Sequence, residues 1–566
     1  MPTATSPIAA TRVPLSHARV ILAASVGTGF EWYDFFLYGS LAGVISKQFF
    51  AGVNETTGFI FALLTFAAGF AVRPFGALLF GRLGDLIGRK KTFLATIIIM
   101  GMATTLVGVL PNYQSAGVAA PIALIALRMF QGLAIGGEYG GAAIYVAEHA
   151  PPGECGRYTS WIQTTATIAL LLSLIVVLSC RAALGAEFET WGWRIPFLIS
   201  TVLLAISVYI RLQLAESPVF LQMVAEGTRS AAPLRDAFGD RRNLKLMLSA
   251  LFGATAGMNV VWYGGQLYAL FFLTQVLKVE PQSASLLLAA ALVIGTPLYL
   301  VFGRLSDHIG RKKLVLLGMA LAAATYFPIY HAITHFANPA VEEAAQRSPV
   351  KVLAERGGCS LQFDPIGKGR FVKSCDIAKA ALAKAGVPYT TEITAAGGVA
   401  VVRIGRPGDG AIDVSSFDGT RLSVERFEHE IGAFGANMQR ALAAAGYPAQ
   451  ANPARIDYPM VLLMLVILMV YVTLVTGPMA AWLVELFPAR VRYTSMSVPY
   501  HIGAGWFGGF LPAVAFTLVA ITGNIYSGLW YPVIVVMVTL IAGAFFLPET
   551  AGPRARRASQ VNQFQQ

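Results

Sequence analysis

A chain of 566 residues that is 56% hydrophobic, only 13% charged and has a mean hydropathy of +0.62 is too apolar for a soluble globule. Its formal net charge of +12 would suggest nucleic acid in a soluble protein. Basic residues also crowd the cytoplasmic loops of membrane proteins, so a lipid bilayer and no nucleic acid is the expectation.

About 20 apolar residues cross a bilayer core, and on that ruler twelve helices are expected, at approximately 19–45, 57–80, 92–111, 118–147, 158–184, 192–213, 246–276, 284–303, 314–335, 458–484, 495–521 and 526–547. The tail at 1–18 is mostly small or polar, so no cleavable signal peptide is expected there. Span 1 holds Glu31-Trp32-Tyr33-Asp34-Phe35 near its middle. Its two carboxylates, three positions apart, share a helix face, and ionisable groups inside a membrane point to function because burying them is costly. Asp34 or Glu31 is therefore the expected proton site.

Span 2 carries Arg73, and span 4 carries Arg128, Gln131 and Glu138 among glycines at 132, 136 and 140 that permit close helix contact. Arg128 and Glu138 lie about 15 Å apart along the axis. Glu138 and Arg73 both fall in the inner half, so an ion pair between them is predicted, while Arg128, Glu31 and Asp34 should face a central cavity. The alternative makes all five permanently paired packing elements.

The loop at 81–91 reads GRLGDLIGRKK and returns at 303–313 as GRLSDHIGRKK, 222 positions on. Arg157-Tyr158-Thr159-Ser160 returns as Arg492-Tyr493-Thr494-Ser495, 335 positions on. The chain is thus an internal duplication with roughly 113 extra residues in its second half. Asp85 and Asp307 can face the positive end of a neighbouring helix. Arg89 and Arg311 can reach Glu148 and Glu485, so these six residues should latch the halves together as a gate.

Arginines and lysines gather in loops 2–3, 6–7, 8–9 and 10–11, whereas the opposite loops offer little beyond Lys47, Arg181 and Lys278. Both termini are then cytoplasmic and the insert lies outside. Span 7 offers Asn259, Trp262, Tyr263, Gln266 and Tyr268, suited either to orienting a small solute or to helix packing. Span 11 holds Tyr500 and His501, the histidine reading as a satisfied hydrogen-bonding group or as a proton carrier.

The organisation expected is an all-α membrane protein of two six-helix halves. A cytoplasmic tail at 1–18 precedes a first half at 19–213, a linker at 214–245, helices 7–9 at 246–336, helices 10–12 at 458–547 and a tail at 548–566. The insert at 337–457 is polar, with a strand-like 399–404 and helix-like stretches at 376–385 and 423–445. It reads as a small α+β domain or as a disordered loop. An oxidising compartment would join Cys359 and Cys375; the alternative is two separate thiols. Paired six-helix halves with a site at their interface are a transporter architecture. Absence of a GxxxxGK[ST] loop argues against an ATP-driven pump. A receptor reading through the insert competes, and an enzyme reading finds no nucleophile–base or metal-ligand spacing there.

The repeated loops resemble those of the major facilitator superfamily. Glu31-Trp32-Tyr33-Asp34-Phe35 with Tyr38, Arg73-Pro74-Phe75-Gly76, Arg128-Met129-Phe130-Gln131-Gly132, Gly137-Glu138-Tyr139-Gly140-Gly141, Trp193-Arg194-Ile195-Pro196-Phe197, Glu216-Ser217-Pro218 and Glu485-Leu486-Phe487-Pro488 are similar to the metabolite:H+ symporter family within it. The resemblance implies proton-driven uptake of small organic acids or zwitterions across a bacterial inner membrane. The tail after Thr550 has no heptads, unlike osmosensing proline/betaine carriers, which turns the expectation toward an organic acid. Candidate solute contacts are Arg128, Tyr38, Gln131, Asn259, Tyr263, Gln266 and His501. No cofactor or metal is expected, and the chain should be monomeric.

Overall fold

The computed structural model describes residues 17–50, 55–360, 372–394, 398–407 and 410–552, so both tails lie largely outside the described residues. The long helices are α1 (His17–Phe49), α2 (Glu55–Ile87), α3 (Arg89–Val109), α4 (Ala119–His149), α5 (Cys155–Leu184), α6 (Arg194–Leu212), α7 (Arg241–Val276), α8 (Pro281–Ile309), α9 (Arg311–Ala337), α10 (Tyr458–Leu486), α11 (Ala489–Thr522) and α12 (Ser527–Phe546). Those from α3 onward are ten helices long and apolar enough to cross a membrane. α1 and α2 are each 33 residues long, and part of their side chains, Glu31 included, lies outside the described residues.

Glycine decides how closely α2 and α4 approach. A methyl at Gly76 would overlap the Leu133 carbonyl, and one at Gly132 would overlap that of Gly69. Each repeated loop turns through a glycine, Gly88 at φ 109° and Gly310 at φ 112°, a region that side chains disfavour. The carboxylate of Glu216 then accepts from the N–H groups of Arg89 (2.9 Å) and Lys90 (3.1 Å) at the start of α3. Glu549 does the same for Arg311 at the start of α9, at 2.7 Å. These caps satisfy helix-end donors and the helix dipole together.

α7 widens into π-helical turns at Leu251–Thr255, Gly264–Tyr268 and Phe272–Val276, and α11 does so at Gly503–Gly508. Such turns free backbone carbonyls. Asn259 Nδ2 donates to Thr255 O at 2.8 Å, and Thr255 Oγ1 donates to Pro499 O at 2.8 Å, tying α7 to α11.

The insert between α9 and α10 is an α+β unit with its own apolar core, including Val352, Ala378, Leu382, Val402, Phe434 and Met438. Its strands are β1 (Val350–Glu355), β2 (Tyr389–Thr394), β3 (Val401–Ile404) and β4 (Ile412–Ser415), in the order β2-β1-β3-β4 with only β1 and β2 parallel. Helices Ser374–Ala385 and Val424–Ala444 fall where the sequence placed them, whereas β1, β2 and β4 are additions. Among the described residues, the hydrogen bonds joining the insert to the bundle all reach the second half. Tyr389 N donates to Gly523 O (2.9 Å), Asn338 Nδ2 to Leu277 O (2.9 Å) and Lys278 Nζ to Lys384 O (2.6 Å). Arg455, leaving the insert, pairs with Glu343 near its start and holds that exposed carboxyl below its ordinary range.

Cys359 and Cys375 are joined in a disulfide across 16 positions. Cys375→Ser is expected to destabilise the insert by about 3 kcal/mol, the chain-entropy value for a loop of ~15 residues. Hydrogen exchange in β1 and β3 measures it, and unchanged protection would show that the bond adds nothing to the fold.

Candidate functional site

α1, α2 and α4 converge on a cavity lined by Asp34, Phe35, Phe70, Arg73, Arg128, Gln131 and Ile135, with room for little more than one water molecule. Arg128 Nη1 donates to Asp34 Oδ2 at 2.7 Å, both side chains almost wholly buried. Gln131 Nε2 bridges Asp34 Oδ1 (3.3 Å) and Thr104 Oγ1 (2.8 Å). The Arg128 guanidinium lies 3.8 Å over the Tyr38 ring, a cation–π contact that holds it flat. Arg128 Nε and Nη2 and Gln131 Oε1 have no hydrogen-bond partner among the described residues. Four of the sequence candidates thus meet at one point. The side chain of Glu31 lies outside the described residues.

Aromatic rings close the cavity against the second half. Trp32 lies 5.1 Å from Trp262, and Phe70 lies 6.3 Å from Tyr263. Tyr263 therefore borders the site through Phe70, whereas Asn259 is spent on its own helix. Gln266 sits with Thr476 and Trp262 around the Tyr299 hydroxyl. His501 is buried on α11, and neither ring nitrogen has a hydrogen-bond partner among the described residues.

The predicted Arg73–Glu138 pair does not form. Glu138 is held by both terminal nitrogens of Arg211 on α6 and by Thr96 Oγ1 at 2.9 Å. The reason is helical phase. Gly136 packs on the Arg73 carbonyl, and Glu138, two residues on, points about 200° away around α4, toward α3 and α6. Arg73 instead lies 4.2 Å over the Phe70 ring and edges the cavity. Arg211→Leu is expected to cost about 3–5 kcal/mol by leaving Glu138 charged and alone. Paired with Glu138→Leu it should recover most of that in a thermal-unfolding comparison; no recovery would deny the coupling.

At the far end of the bundle from the insert, the two halves interlock. Asp85 accepts from Thr494 N (3.0 Å), Thr494 Oγ1 (2.9 Å) and Tyr493 N (3.2 Å) at the start of α11. Asp307 accepts from Gly156 N (2.8 Å) and Arg157 N (2.9 Å) at the start of α5. The arginines reach the expected carboxylates but do not bridge the halves. Arg311 grips Glu485 through two bonds of 2.6 Å, and Arg89 stands 3.8 Å from Glu148, but each of these pairs lies within a single half. Crossing between halves are Arg492 to Glu148 at 2.9 Å and Arg89 Nη2 to Ala489 O at 2.8 Å.

A family model described as sugar (and other) transporter matches residues 20–251 and 426–560. The chain is 35% identical over 320 residues to a proline/betaine transporter of Salmonella typhimurium, covering 55% of this chain and 64% of that one, a little under two thirds of the relative's length. It is 34% identical over 320 residues to the alpha-ketoglutarate permease of Escherichia coli, covering 56% and 72% respectively. Its fold is similar to that of the proton:xylose symporter XylE from E. coli, with a TM-score of 0.57 at 15% identity over 95% of this chain and 97% of that one. The chain therefore belongs to the sugar (and other) transporter family of the major facilitator superfamily, a family of multi-pass membrane transporters.

Proposed function

We propose that this chain is a proton-coupled symporter that imports a small carboxylate-bearing metabolite by alternating access, an organic acid such as a dicarboxylate being the first candidate. The observation that carries this is the buried Asp34–Arg128 pair on the cavity wall, with two further Arg128 nitrogens lacking an acceptor among the described residues. One guanidinium faces one carboxylate. A solute carboxylate reaching Arg128 competes with ionised Asp34, and a proton on Asp34 removes that competition. Proton and solute then enter together, which is symport. A fork of N–H donors suits a carboxylate better than a neutral sugar.

The relatives named for proline/betaine and for alpha-ketoglutarate support the class. The first name favours a zwitterion as the second reading, since its solutes also carry a carboxylate. Twelve spans, a cytoplasmic latch end and a periplasmic insert complete the proposal, with the basic loops as its basis. Glu31 stays a second proton candidate. Purified protein in liposomes, given an acid step on the insert side, should accumulate α-ketoglutarate, proline or betaine above its equilibrium level, and a proton conductor should abolish the gradient. Solute movement indifferent to the step, or none for any of the three, would overturn the reading.

A further inference from the structure

His501 and Ser497 stand one turn apart on α11, are both buried to within 1% of full cover, and neither ring nitrogen nor the hydroxyl oxygen has a hydrogen-bond partner among the described residues. Leaving such groups unpaired is costly, and buried polar groups without partners call for an explanation. Their position supplies one. α11 runs antiparallel to α2. A methyl on Gly505 would meet the Phe70 carbonyl at 2.8 Å, and one on Gly81 would meet Thr494 at 2.9 Å. That register sets His501 beside Arg73 and Pro74, at the cavity's inner edge, and Ser497 one turn farther toward the latch. Gly140 of α4 faces the Ser497 hydroxyl.

From Arg128 to Gly136 and Gly140, the distance along α4 is about 12 and 18 Å. Directly beside this pair, Tyr139 of the first half stacks on Tyr500 of the second at 3.8 Å and 6°. The Tyr493 hydroxyl then donates to Gly137 O at 2.7 Å. Both the ring stack and this hydrogen bond cross between the halves.

We infer that His501 and Ser497 form an exit subsite that takes the solute's carboxylate after it leaves Arg128, on the latch side of the cavity. A serine hydroxyl and a neutral imidazole each donate one hydrogen bond, and the Arg73 guanidinium at the same level adds positive charge. The inference rests on the symport reading, but access to the subsite does not.

Ser497→Cys, with Cys155→Ser and Cys180→Ser removing the free thiols, is to be labelled from the latch side with two methanethiosulfonate reagents, one anionic and one cationic. The anionic reagent should react at least tenfold faster than with Met100→Cys, a buried control in the α3 core, and faster than the cationic one. No excess over the control, or no preference for the anion, overturns the subsite even if none of the three solutes is carried. Where a solute is carried, His501→Phe with Ser497→Ala should raise half-saturation for efflux about tenfold and leave the insert-side value within about twofold. His501→Gln, which keeps a donor, should restore efflux. Equal changes on both faces, or none, also overturn it.

Discussion

Asp34→Asn is expected to abolish proton-driven accumulation while leaving solute exchange across the membrane within about tenfold of the parent protein. The amide keeps the shape of the carboxylate and still accepts from Gln131, whose Nε2 is 3.3 Å from Asp34 Oδ1. What disappears is the charge. Arg128, 4% exposed, is then a buried cation without its partner, a situation that costs about 3–5 kcal/mol. An incoming carboxylate recovers that cost whether or not a proton comes along, so solute binding no longer waits on protonation. At 1.4 kcal/mol per factor of ten, a change of this size corresponds to a shift of about a hundredfold or more in solute affinity. Counterflow of labelled solute should survive, and uphill uptake driven by an acid step should fall to the equilibrium level. Glu31→Gln in parallel identifies which carboxylate carries the proton. Full accumulation by both variants would end the role assigned to this pair.

The sequence made the site's first half legible because its residues obey simple rules. Asp34, Arg128 and Gln131 are polar groups in apolar helices, and a bilayer leaves such groups nowhere to go but inward. The latch was legible because the loop occurs twice, and because a carboxylate beside a helix start has one obvious partner. Depth along a helix is legible in a sequence, but the azimuth that decides which neighbour a side chain meets is not. Arg73 and Glu138 share a level, but α4 turns Glu138 toward Arg211. Arg89 and Arg311 do reach Glu148 and Glu485, but these carboxylates lie in the arginines' own halves and so do not bridge. In α7, the π-helical turns redirect Asn259 to Thr255, and no residue pattern announces such turns. In the insert, β1 alternates buried and half-buried positions, whereas β2 is exposed at all but Tyr389, so its sequence YTTEIT lacks an apolar face to detect.

Asp85→Asn is expected to slow net uptake by about tenfold or more, and Asp307→Asn by less. Each aspartate caps a helix of the opposite half, so each set of bonds must break before the latch end opens. Hydrogen bonds to a charged acceptor are worth about 1.5–3 kcal/mol, and neutralising Asp85 weakens three of them as well as its 3.2 Å contact with Arg89. The two ends of the latch are unequal. Arg492 crosses to Glu148, but its repeat counterpart Arg157 turns to Glu154 at 2.9 Å, and Glu485 is taken by Arg311 and by Thr550 at 2.6 Å. The Asp85 side therefore carries more of the cross-half bonding. Its loss leaves the carrier resting open at the latch end, where it must close again before it can load from the insert side. Closure becomes the slow step. Labelling of Ser495→Cys, a position at the start of α11 that is buried in the closed form, should speed up about tenfold from the latch side in Asp85→Asn, in step with the fall in uptake. Uptake and labelling both unchanged would reduce the repeated loops to packing elements.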